Sequence, residues 1–194
     1  AEIIGNVSSS FWSIIRELYF PQSPYSFAVL SSDILGKIYE IFLSQRLAVV
    51  DGQLSIVNKP ENEDRDIVTT PNFIVREILR QTMKDNLAHL TDKQILSLKC
   101  ADIACGSGAF LLETFQILCD ALVDFYTVND KSKLIQTDVN TFKLKFEVKR
   151  NVLMSCIYGV DKDFNAVEAC KFGLLLKLLE EEDDSTIASF HPVL

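Results

Sequence analysis

The sequence predicts an α/β fold in residues 67–194, preceded by a mainly helical N-terminal region in residues 1–66. Two observations predict the α/β part: apolar runs that end at Ala104 and at Val160 are each followed by a turn and then by a helical pattern. A third observation sets the boundary, because residues 58–66 (NKPENEDRD) have the polar composition of a flexible loop.

Composition restricts the class of protein. The 194 residues include 27 acidic and 19 basic side chains, which give a formal net charge of −8, and 48% of them are hydrophobic. This composition is globular rather than disordered or fibrous. No run of about 18 apolar residues is present, and residues 1–10 lack a secretory signal, so we expect a cytoplasmic protein without a membrane span. Because the charge is acidic, a nucleic acid partner would need a positive surface on another domain or subunit.

The five cysteines do not form a metal-binding or disulfide pattern. Their number is odd, no two of them are spaced as C-x-x-C, and the two histidines, His89 and His191, lie far apart in the sequence. We therefore expect no metal site, and we expect reduced thiols that pack as small apolar groups. The cysteines are Cys100, Cys105, Cys119, Cys156 and Cys170.

In residues 1–66 the pattern predicts two helices and a hairpin. Apolar residues at helical spacing predict a helix over Phe11–Tyr19 and a second helix from Ser32, a capping residue, to Leu43. Residues 47–57 are rich in β-branched side chains around Asp51-Gly52, a dipeptide that is typical of tight hairpin turns.

Residues 67–194 are expected to begin with a helix and then to alternate strands and helices. Thr70 is expected to cap that helix, Pro71 to occupy its first position, and 84–94 to form a polar connection. The buried face of the helix is expected to consist of Phe73, Ile74, Ile78 and Leu79. The later elements are a strand over 98–104, helices over 109–125 and 142–154, a strand over 156–160 and a helix over 166–179, with a polar segment over 129–141.

The segment Asp102–Phe110 (DIACGSGAF) carries the clearest chemical signal. Gly106 and Gly108, directly after a predicted strand, allow the backbone to turn sharply and to approach a ligand. The helix that follows would present free amides and its positive end to that ligand. An ordinary turn between a strand and a helix has the same features, so the residues after the glycines decide which ligand fits.

Three nucleotide-binding hypotheses can be compared on those residues. A phosphate-binding P-loop needs Lys-Ser or Lys-Thr after its last glycine, and Ala109-Phe110 excludes it. A dinucleotide fingerprint needs a small residue where Leu111 stands and a strand-ending acid about 20 residues later, where Asp124 falls within a helical pattern. This hypothesis is weakened but remains open. The third hypothesis is an S-adenosylmethionine site, in which glycines pass close to the methionine moiety and a later acid holds the ribose.

The segment DIACGSGAF resembles the D-P-A-C-G-S-G-x-F signature of the adenine-N6 DNA methyltransferases of restriction–modification systems, which include type I modification subunits and fused type IIG enzymes. Three further segments are similar in type and order, and the likeness covers roughly residues 30–180. They are Ile34–Leu43, similar to an L-G-x-x-Y-E segment; Val68–Leu79, similar to a Y-T-P segment that contacts S-adenosylmethionine; and Tyr158–Cys170, similar to the strand-ending acid and helix that bind the ribose and adenine.

The resemblance implies a truncated Rossmann-like, S-adenosylmethionine-dependent methyltransferase domain. Asp161 would accept hydrogen bonds from the ribose hydroxyls, which requires its carboxylate to lie at the mouth of the glycine turn. Asp102 would orient the turn or contact the methionine ammonium, and Phe110 and Phe164 would pack on the cofactor. The cofactor-binding residues carried over are Thr70, Pro71, Asp102, Ala104, Gly106, Gly108, Phe110, Asp161 and Phe164.

Several of these residues also have a purely structural interpretation. Asp161 and Thr70 can be helix caps, and Asp163 is better explained as the cap of the helix that follows it. Phe110 and Phe164 lie at the edges of apolar runs, where an aromatic residue is more often part of the core. A basic cluster is expected to be a solvated helix face rather than a DNA-binding patch. Its members are Lys143, Lys145, Lys149 and Arg150.

The sequence departs from the family pattern at three places. Ile103 replaces proline and is expected to continue the strand, and Thr69 stands where tyrosine commonly precedes Thr-Pro. The Asn/Asp-Pro-Pro-Tyr/Phe motif, at which this family transfers the methyl group, does not occur. We therefore expect a domain incomplete at its C-terminus, with no catalytic residue and no activity alone. Cys105 is not expected to be catalytic, because an adenine amine needs no cysteine nucleophile.

For the parent protein, the resemblance implies transfer of a methyl group to the exocyclic amine of adenine in DNA. DNA would be bound through regions outside this chain, and specificity and restriction subunits or fused domains are possible partners. Two other classes remain open: a non-catalytic cofactor-binding or subunit-docking module, and an NAD-dependent oxidoreductase domain.

Overall fold

The computed structural model describes residues 12–13, 16–17, 22, 45–58 and 70–189. Within the helix predicted over Phe11–Tyr19, residues 12–13 and 16–17 are helical, and the rest of that helix lies outside the described residues. The helix predicted from Ser32 to Leu43, which includes the segment Ile34–Leu43, also lies outside them. The same holds for residues 59–69, which include Thr69 and all but the first residue of the loop predicted over 58–66. The division of the chain near residue 66 therefore stays a prediction.

An antiparallel hairpin precedes the boundary loop. Strand β1 (Gln45–Val50) pairs with β2 (Gln53–Asn58), and Val50 is the register partner of Gln53. The two residues between the strands, Asp51 and Gly52, have φ angles of 52° and 78°. A type I′ turn, one of the two common two-residue hairpin turns, requires a positive φ at both of these positions. The hairpin therefore forms at the dipeptide that predicts it.

The first helix of the second region starts one residue later than predicted. Helix α1 (Asn72–Leu79) has Pro71 as its N-cap residue, and no side chain caps the helix. Pro71 has φ −56° and ψ 138°, and its carbonyl oxygen accepts hydrogen bonds from the amides of Ile74 and Val75 at 2.9 and 3.1 Å. The predictions that Thr70 caps this helix and that Pro71 is its first residue are both wrong, because the extended ψ of Pro71 delays the first turn.

The buried face of α1 is also different from the one predicted. Val75 and Leu79 are 1% and 8% exposed and lie four residues apart on one helix face. The prediction holds for Leu79 but is wrong for the other three residues, which are solvent-exposed: Phe73, Ile74 and Ile78. Apolar residues at five positions of this helix cover more than one face, and only the face with Val75 and Leu79 packs inward.

The segment predicted as a polar connection, 84–94, contains helical structure. After α1 the chain continues as a π-helical segment (Arg80–Lys84) and then as α2 (Asp85–Leu87). Helix α3 (Asp92–Ser97) follows, and Thr91 caps it in a capping box with Gln94. In this arrangement each of the two side chains satisfies a backbone amide at the helix start. The prediction of a connection is therefore wrong, although the Thr-x-x-Gln signal for α3 is present in the sequence.

A short parallel strand pair forms the centre of the α/β part. Strand β3 (Cys100–Asp102) pairs with β6 (Ile157–Gly159), and Asp102 is the register partner of Gly159. Both strands are shorter than predicted. Ile103 does not continue β3, contrary to the prediction, and it is 83% exposed. The reason is that Asp102 Oδ1 accepts the amide of Ala104 at 3.0 Å, which turns the chain directly after the strand.

The two strands are connected by a long helix, a hairpin and a second helix. Helix α4 (Ala109–Asn129) is followed by a short 3₁₀ turn, by strands β4 (Leu134–Asp138) and β5 (Thr141–Leu144), and by α5 (Phe146–Cys156). Most of the hairpin lies within the segment 129–141, which the sequence indicates only to be polar. Strand β5 replaces the first turn of the helix predicted over 142–154, so that prediction is wrong there. Helices α6 (Phe164–Leu179) and α7 (Asp184–Ser189) follow β6.

Half of the basic cluster is not part of a solvated helix face. Lys143 lies on β5 and donates a hydrogen bond to the carbonyl oxygen of Glu181. Lys149, on α5, forms an ion pair with Glu182 and also donates to the carbonyl oxygen of Glu180 at 3.1 Å. The side chains of Lys149 and Glu182 are only 12% and 4% exposed. The prediction is wrong for these two lysines, because the end of α6 packs against them.

Helix α4 forms the centre of the hydrophobic core. Its apolar face runs from Leu111 to Leu122, and Leu118 and Leu122 are fully buried. Helices α1, α3, α5 and α6 and the strand pair pack around α4. All five cysteines are free thiols and four of them are buried, as predicted. Among the described residues, no helix combines the length and apolarity that crossing a bilayer requires.

Candidate functional site

The glycine turn after β3 is hydrogen-bonded to the residues that follow β6. The amide of Val160 donates to the carbonyl oxygen of Asp102 at 2.8 Å, and the amide of Cys105 donates to the carbonyl oxygen of Val160 at 3.0 Å. The amide of Gly106 then donates to Asp161 Oδ2 at 2.8 Å. These three bonds continue the pairing of the two strands beyond their ends and fix the turn against the segment that contains Asp161.

The carboxylate of Asp161 lies at the mouth of the turn, as its predicted role requires. Its Oδ2 accepts from Gly106, and its Oδ1 accepts from the amide of Asp163 at 2.9 Å. Asp163 is the N-cap of α6, because its own Oδ1 accepts from the amide of Asn165 at 2.9 Å. The prediction that Asp163 caps this helix is confirmed. Asp161 therefore links the turn to the start of α6 without being the cap.

The two glycines of the turn are required for different reasons. Gly106 and Gly108 have φ angles of 52° and 94°, a backbone region that other residues rarely adopt. A Cβ atom on Gly108 would lie 2.5 Å from the Sγ atom of Cys170 on α6, whereas a Cβ atom on Gly106 would have no neighbour within 4 Å. Gly108 thus permits close packing inside the protein, and Gly106 faces open space.

The start of α4 points its positive end at the turn. Gly108 is the N-cap of this helix, and its carbonyl oxygen accepts the amide of Leu112 at 2.8 Å. The amides of residues 109–111 belong to the first turn and have no acceptor within the helix. Such a helix start attracts anionic groups. Phe110, the second residue of α4, is half-buried beside these amides.

Thr70 and Pro71 lie directly before α1, and an ion pair joins that helix to α4. Arg76 Nε and Glu113 Oε2 are 3.3 Å apart, and each belongs to the fifth residue of its helix. Thr70 is half-buried and Pro71 is exposed. The structure places the two residues directly before α1, and a role in binding remains a prediction for both.

Two further candidates are accessible at the ends of the strands. Ala104 is exposed in the turn after β3. Phe164 is the first residue of α6 and is 72% exposed, so it is not a core residue. Asp102 is half-buried, and its bond to the amide of Ala104 orients the start of the turn, which is one of the two roles predicted for it.

Cys105 has the environment of a packed thiol rather than of a nucleophile. It is 6% exposed, and burial raises its pKa, with a smaller contribution from the charge of Asp161. Burial also raises the pKa of Cys170 to about 12. A thiol acts as a nucleophile only as the thiolate, which a raised pKa disfavours. Among the described residues, no group of three or more His, Cys, Asp or Glu side chains is arranged to hold a metal ion.

Sequence reasoning missed Gly159, the last residue of β6. A Cβ atom on Gly159 would lie 2.8 Å from Leu111 Cδ1 and 3.2 Å from Cys105 Sγ. Gly159 therefore lets both the turn and the first turn of α4 approach β6. The sequence does contain a signal that could have identified this residue, a glycine within a predicted strand two residues before Asp161. Glycine is generally unfavourable inside a strand and often marks a place where another part of the chain approaches closely.

Comparison with known proteins gives one clear relationship. No family model matches the chain. The chain is 57% identical over all of its 194 residues to the type II restriction enzyme and methyltransferase RM.Eco57I of Escherichia coli, and it spans 19% of the length of that protein. The chain is thus homologous along its whole length to a segment of a restriction–modification methyltransferase, in agreement with the resemblance of its four sequence segments.

Proposed function

We propose that the chain is the S-adenosylmethionine-binding part of a Rossmann-like restriction–modification methyltransferase domain. The observation that carries the proposal is the hydrogen bond between the amide of Gly106 and Asp161 Oδ2. It brings the two groups from which an adenosyl site is built, a glycine turn and a strand-ending carboxylate, to the same edge of the strand pair. The homology to a restriction–modification methyltransferase agrees with this assignment.

The residues around the turn fit such a cofactor. Each oxygen of the Asp161 carboxylate accepts one backbone amide, and a carboxylate oxygen can accept two hydrogen bonds, so both oxygens retain a free position for a ribose hydroxyl. The carboxylate is only partly buried, and the space at Gly106 is open. The exposed ring of Phe164 offers an apolar surface next to these polar groups.

The residues of this chain would bind and orient the cofactor. S-adenosylmethionine supplies a methyl group on a positively charged sulfur. The first-turn amides of α4 suit the carboxylate of its methionine moiety, and the half-buried carboxylate of Asp102 suits the ammonium group. Asp161 would fix the ribose. Each of these contacts positions the methyl group, and none of them forms or breaks a bond.

We further propose that the parent protein methylates the exocyclic amine of adenine in DNA. The support for adenine is the resemblance of DIACGSGAF to the adenine-N6 signature. Within this chain, the buried Cys105 with its raised pKa does not offer the cysteine nucleophile that methylation of a cytosine ring carbon requires. The target base would leave the DNA helix to reach the cofactor. The missing Asn/Asp-Pro-Pro-Tyr/Phe motif and the DNA-binding surface would belong to regions outside this sequence, so we expect the chain alone to be inactive.

An NAD-binding domain is the second candidate, because a glycine turn after a strand is common to both classes. The argument against it is Leu111, which stands where the dinucleotide fingerprint needs a small residue and which is 3% exposed and packs close to Gly159. Calorimetry of the chain with S-adenosylhomocysteine and, in parallel, with NAD tests the choice. We expect binding of S-adenosylhomocysteine only. Binding of NAD alone would refute the proposed function.

A non-catalytic module is distinguished by a separate assay. The full-length protein that contains this chain is incubated with duplex DNA and S-adenosylmethionine carrying a labelled methyl group, and the modified base is identified. We expect N6-methyladenine. Cofactor binding without transfer to any base would instead favour a binding or docking module.

A further inference from the structure

We propose that Gly159 is a positioning residue that sets the distance between the glycine turn and Asp161. In this proposal Gly159 does not itself contact the cofactor or the substrate. It acts through Cys105 and Leu111, whose side chains occupy the space that a Cβ atom on residue 159 would need. The part of this inference that concerns cofactor affinity rests on the proposed function.

The contacts at Gly159 leave no room for a methyl group. The Cβ atom would lie 2.8 Å from Leu111 Cδ1, a separation that requires one of the two to move, and 3.2 and 3.4 Å from the Sγ and Cβ atoms of Cys105. Leu111 and Cys105 are 3% and 6% exposed, so neither can rotate freely into solvent. Densely packed interiors transmit such a displacement to the backbone rather than absorbing it.

The displacement would act on the hydrogen bonds that build the site. Cys105 carries the amide that donates to the carbonyl oxygen of Val160 at 3.0 Å, and the next amide, that of Gly106, donates to Asp161 Oδ2 at 2.8 Å. Moving Cys105 away from β6 lengthens both bonds at once. Hydrogen bonds weaken steeply as the donor moves away from the acceptor. The missing side chain of Gly159 is therefore what allows the turn to reach the carboxylate.

The test compares two glycine-to-alanine variants of the chain. Gly159→Ala introduces the close contacts, whereas Gly173→Ala on α6 is a matched control whose Cβ atom would lie at an ordinary 3.5 Å from Leu112 Cδ1. Circular dichroism establishes that each variant is folded, and NMR-detected hydrogen exchange measures protection of the Gly106 amide without any ligand. Calorimetry with S-adenosylhomocysteine measures affinity.

We expect Gly159→Ala to remain folded, to exchange the Gly106 amide about tenfold faster and to bind S-adenosylhomocysteine about tenfold more weakly, as the loss of one good hydrogen bond predicts. Gly173→Ala should match the wild type in both measurements. The double variant Gly159→Ala/Leu111→Ala, which removes the closest atom, should recover part of the Gly106 protection relative to Gly159→Ala.

Wild-type protection of Gly106 in Gly159→Ala would overturn the inference while leaving the proposed function intact. Loss of all folded structure in Gly159→Ala would also overturn it, because Gly159 would then support the fold as a whole rather than the turn. If the wild-type chain binds no S-adenosylhomocysteine, the proposed function fails, and the exchange rate of Gly106 still decides whether Gly159 positions the turn.

Discussion

Gly106 and Asp161 are 55 residues apart in the sequence, and the amide of one donates a 2.8 Å hydrogen bond to the carboxylate of the other. The contact forms because β3 and β6 are parallel, so that the segments following both strands emerge at the same edge. A helix, a hairpin and a second helix fill the intervening sequence without separating the two ends. The carboxylate of Asp161 therefore organises the turn even before any ligand is considered.

Replacing Asp161 should weaken cofactor binding. In Asp161→Ala the amides of Gly106 and Asp163 lose their acceptor, and under the proposed function the ribose hydroxyls would lose theirs. We expect the free energy of binding S-adenosylhomocysteine to become less favourable by roughly 1–3 kcal/mol, measured by calorimetry. Asp163→Ala is the control: it removes the cap of α6, which should lower the free energy of unfolding by about 1 kcal/mol and leave the affinity unchanged. Equal affinity of Asp161→Ala and wild type would show that Asp161 is not a ligand.

The two glycines of the turn should differ in their tolerance of alanine. Gly106→Ala must adopt a positive φ, which costs about 1–2 kcal/mol, but its side chain enters open space. Gly108→Ala carries a similar backbone cost and also forces its Cβ atom against Cys170 Sγ, which adds about 1–3 kcal/mol of overpacking. Urea unfolding should therefore rank Gly108→Ala as the less stable variant. The difference in the free energy of unfolding between the two variants should decrease when Cys170→Ala is combined with Gly108→Ala. An unchanged difference would contradict the packing argument.

The ion pair between Lys149 and Glu182 should be sensitive to removal of one partner. Both side chains are largely buried, so Lys149→Met leaves the carboxylate of Glu182 in the interior without its ammonium partner. We expect a loss of about 3–5 kcal/mol in the free energy of unfolding, with much of it recovered in Lys149→Met/Glu182→Leu. Arg150→Met, which removes a solvent-exposed pair with Glu147, should change stability by less than about 1 kcal/mol. Similar losses for both methionine variants would contradict this expectation.

Stability should depend on Tyr126 at high pH. The hydroxyl of Tyr126 donates to Asp92 Oδ2 at 3.2 Å, and burial, followed by the charge of Asp92, raises the pKa of Tyr126 to about 12. In the unfolded chain the pKa of a tyrosine is about 10, its ordinary value. The folded state thus holds the proton more tightly, so the contribution is complete below about pH 10 and is lost as the pH rises through about 12. Unfolding of Tyr126→Phe should show a smaller decrease in stability over this interval than wild type, and parallel pH curves would contradict the assignment.

The sequence predicted the geometry around the glycine turn better than the elements that surround it. The glycine turn, the strand-ending Asp161 and the cap at Asp163 follow from local rules, because each depends on residues close in sequence and on the general topology of parallel strands. The contact between Gly159 and Leu111 could not be predicted, since it depends on the distance at which a helix packs against a strand.

The misplaced elements have identifiable physical causes. Strands β4 and β5 are short and half polar, with Leu134 and Leu144 as their only buried residues, so their pattern does not differ from that of a loop. Helix α1 has apolar residues on two faces, and the position of α4 determines that Val75 is buried and Phe73 is exposed. Lys149 is buried because the segment after α6 packs against it, and charge patterning in the sequence does not reveal such a long-range contact.

The two lysines that contact the segment after α6 also affect how this chain can bind a polyanion. Lys143 and Lys149 bind carbonyl oxygens of residues 180 and 181, and Lys149 is also paired with Glu182. Ammonium groups engaged in this way are not available to displace counterions condensed along a duplex, and such displacement supplies most of the salt-dependent affinity for DNA. Half of the basic cluster is thereby committed to holding the segment that follows α6, and we expect these two lysines to contribute little to the ionic-strength dependence of any association with DNA.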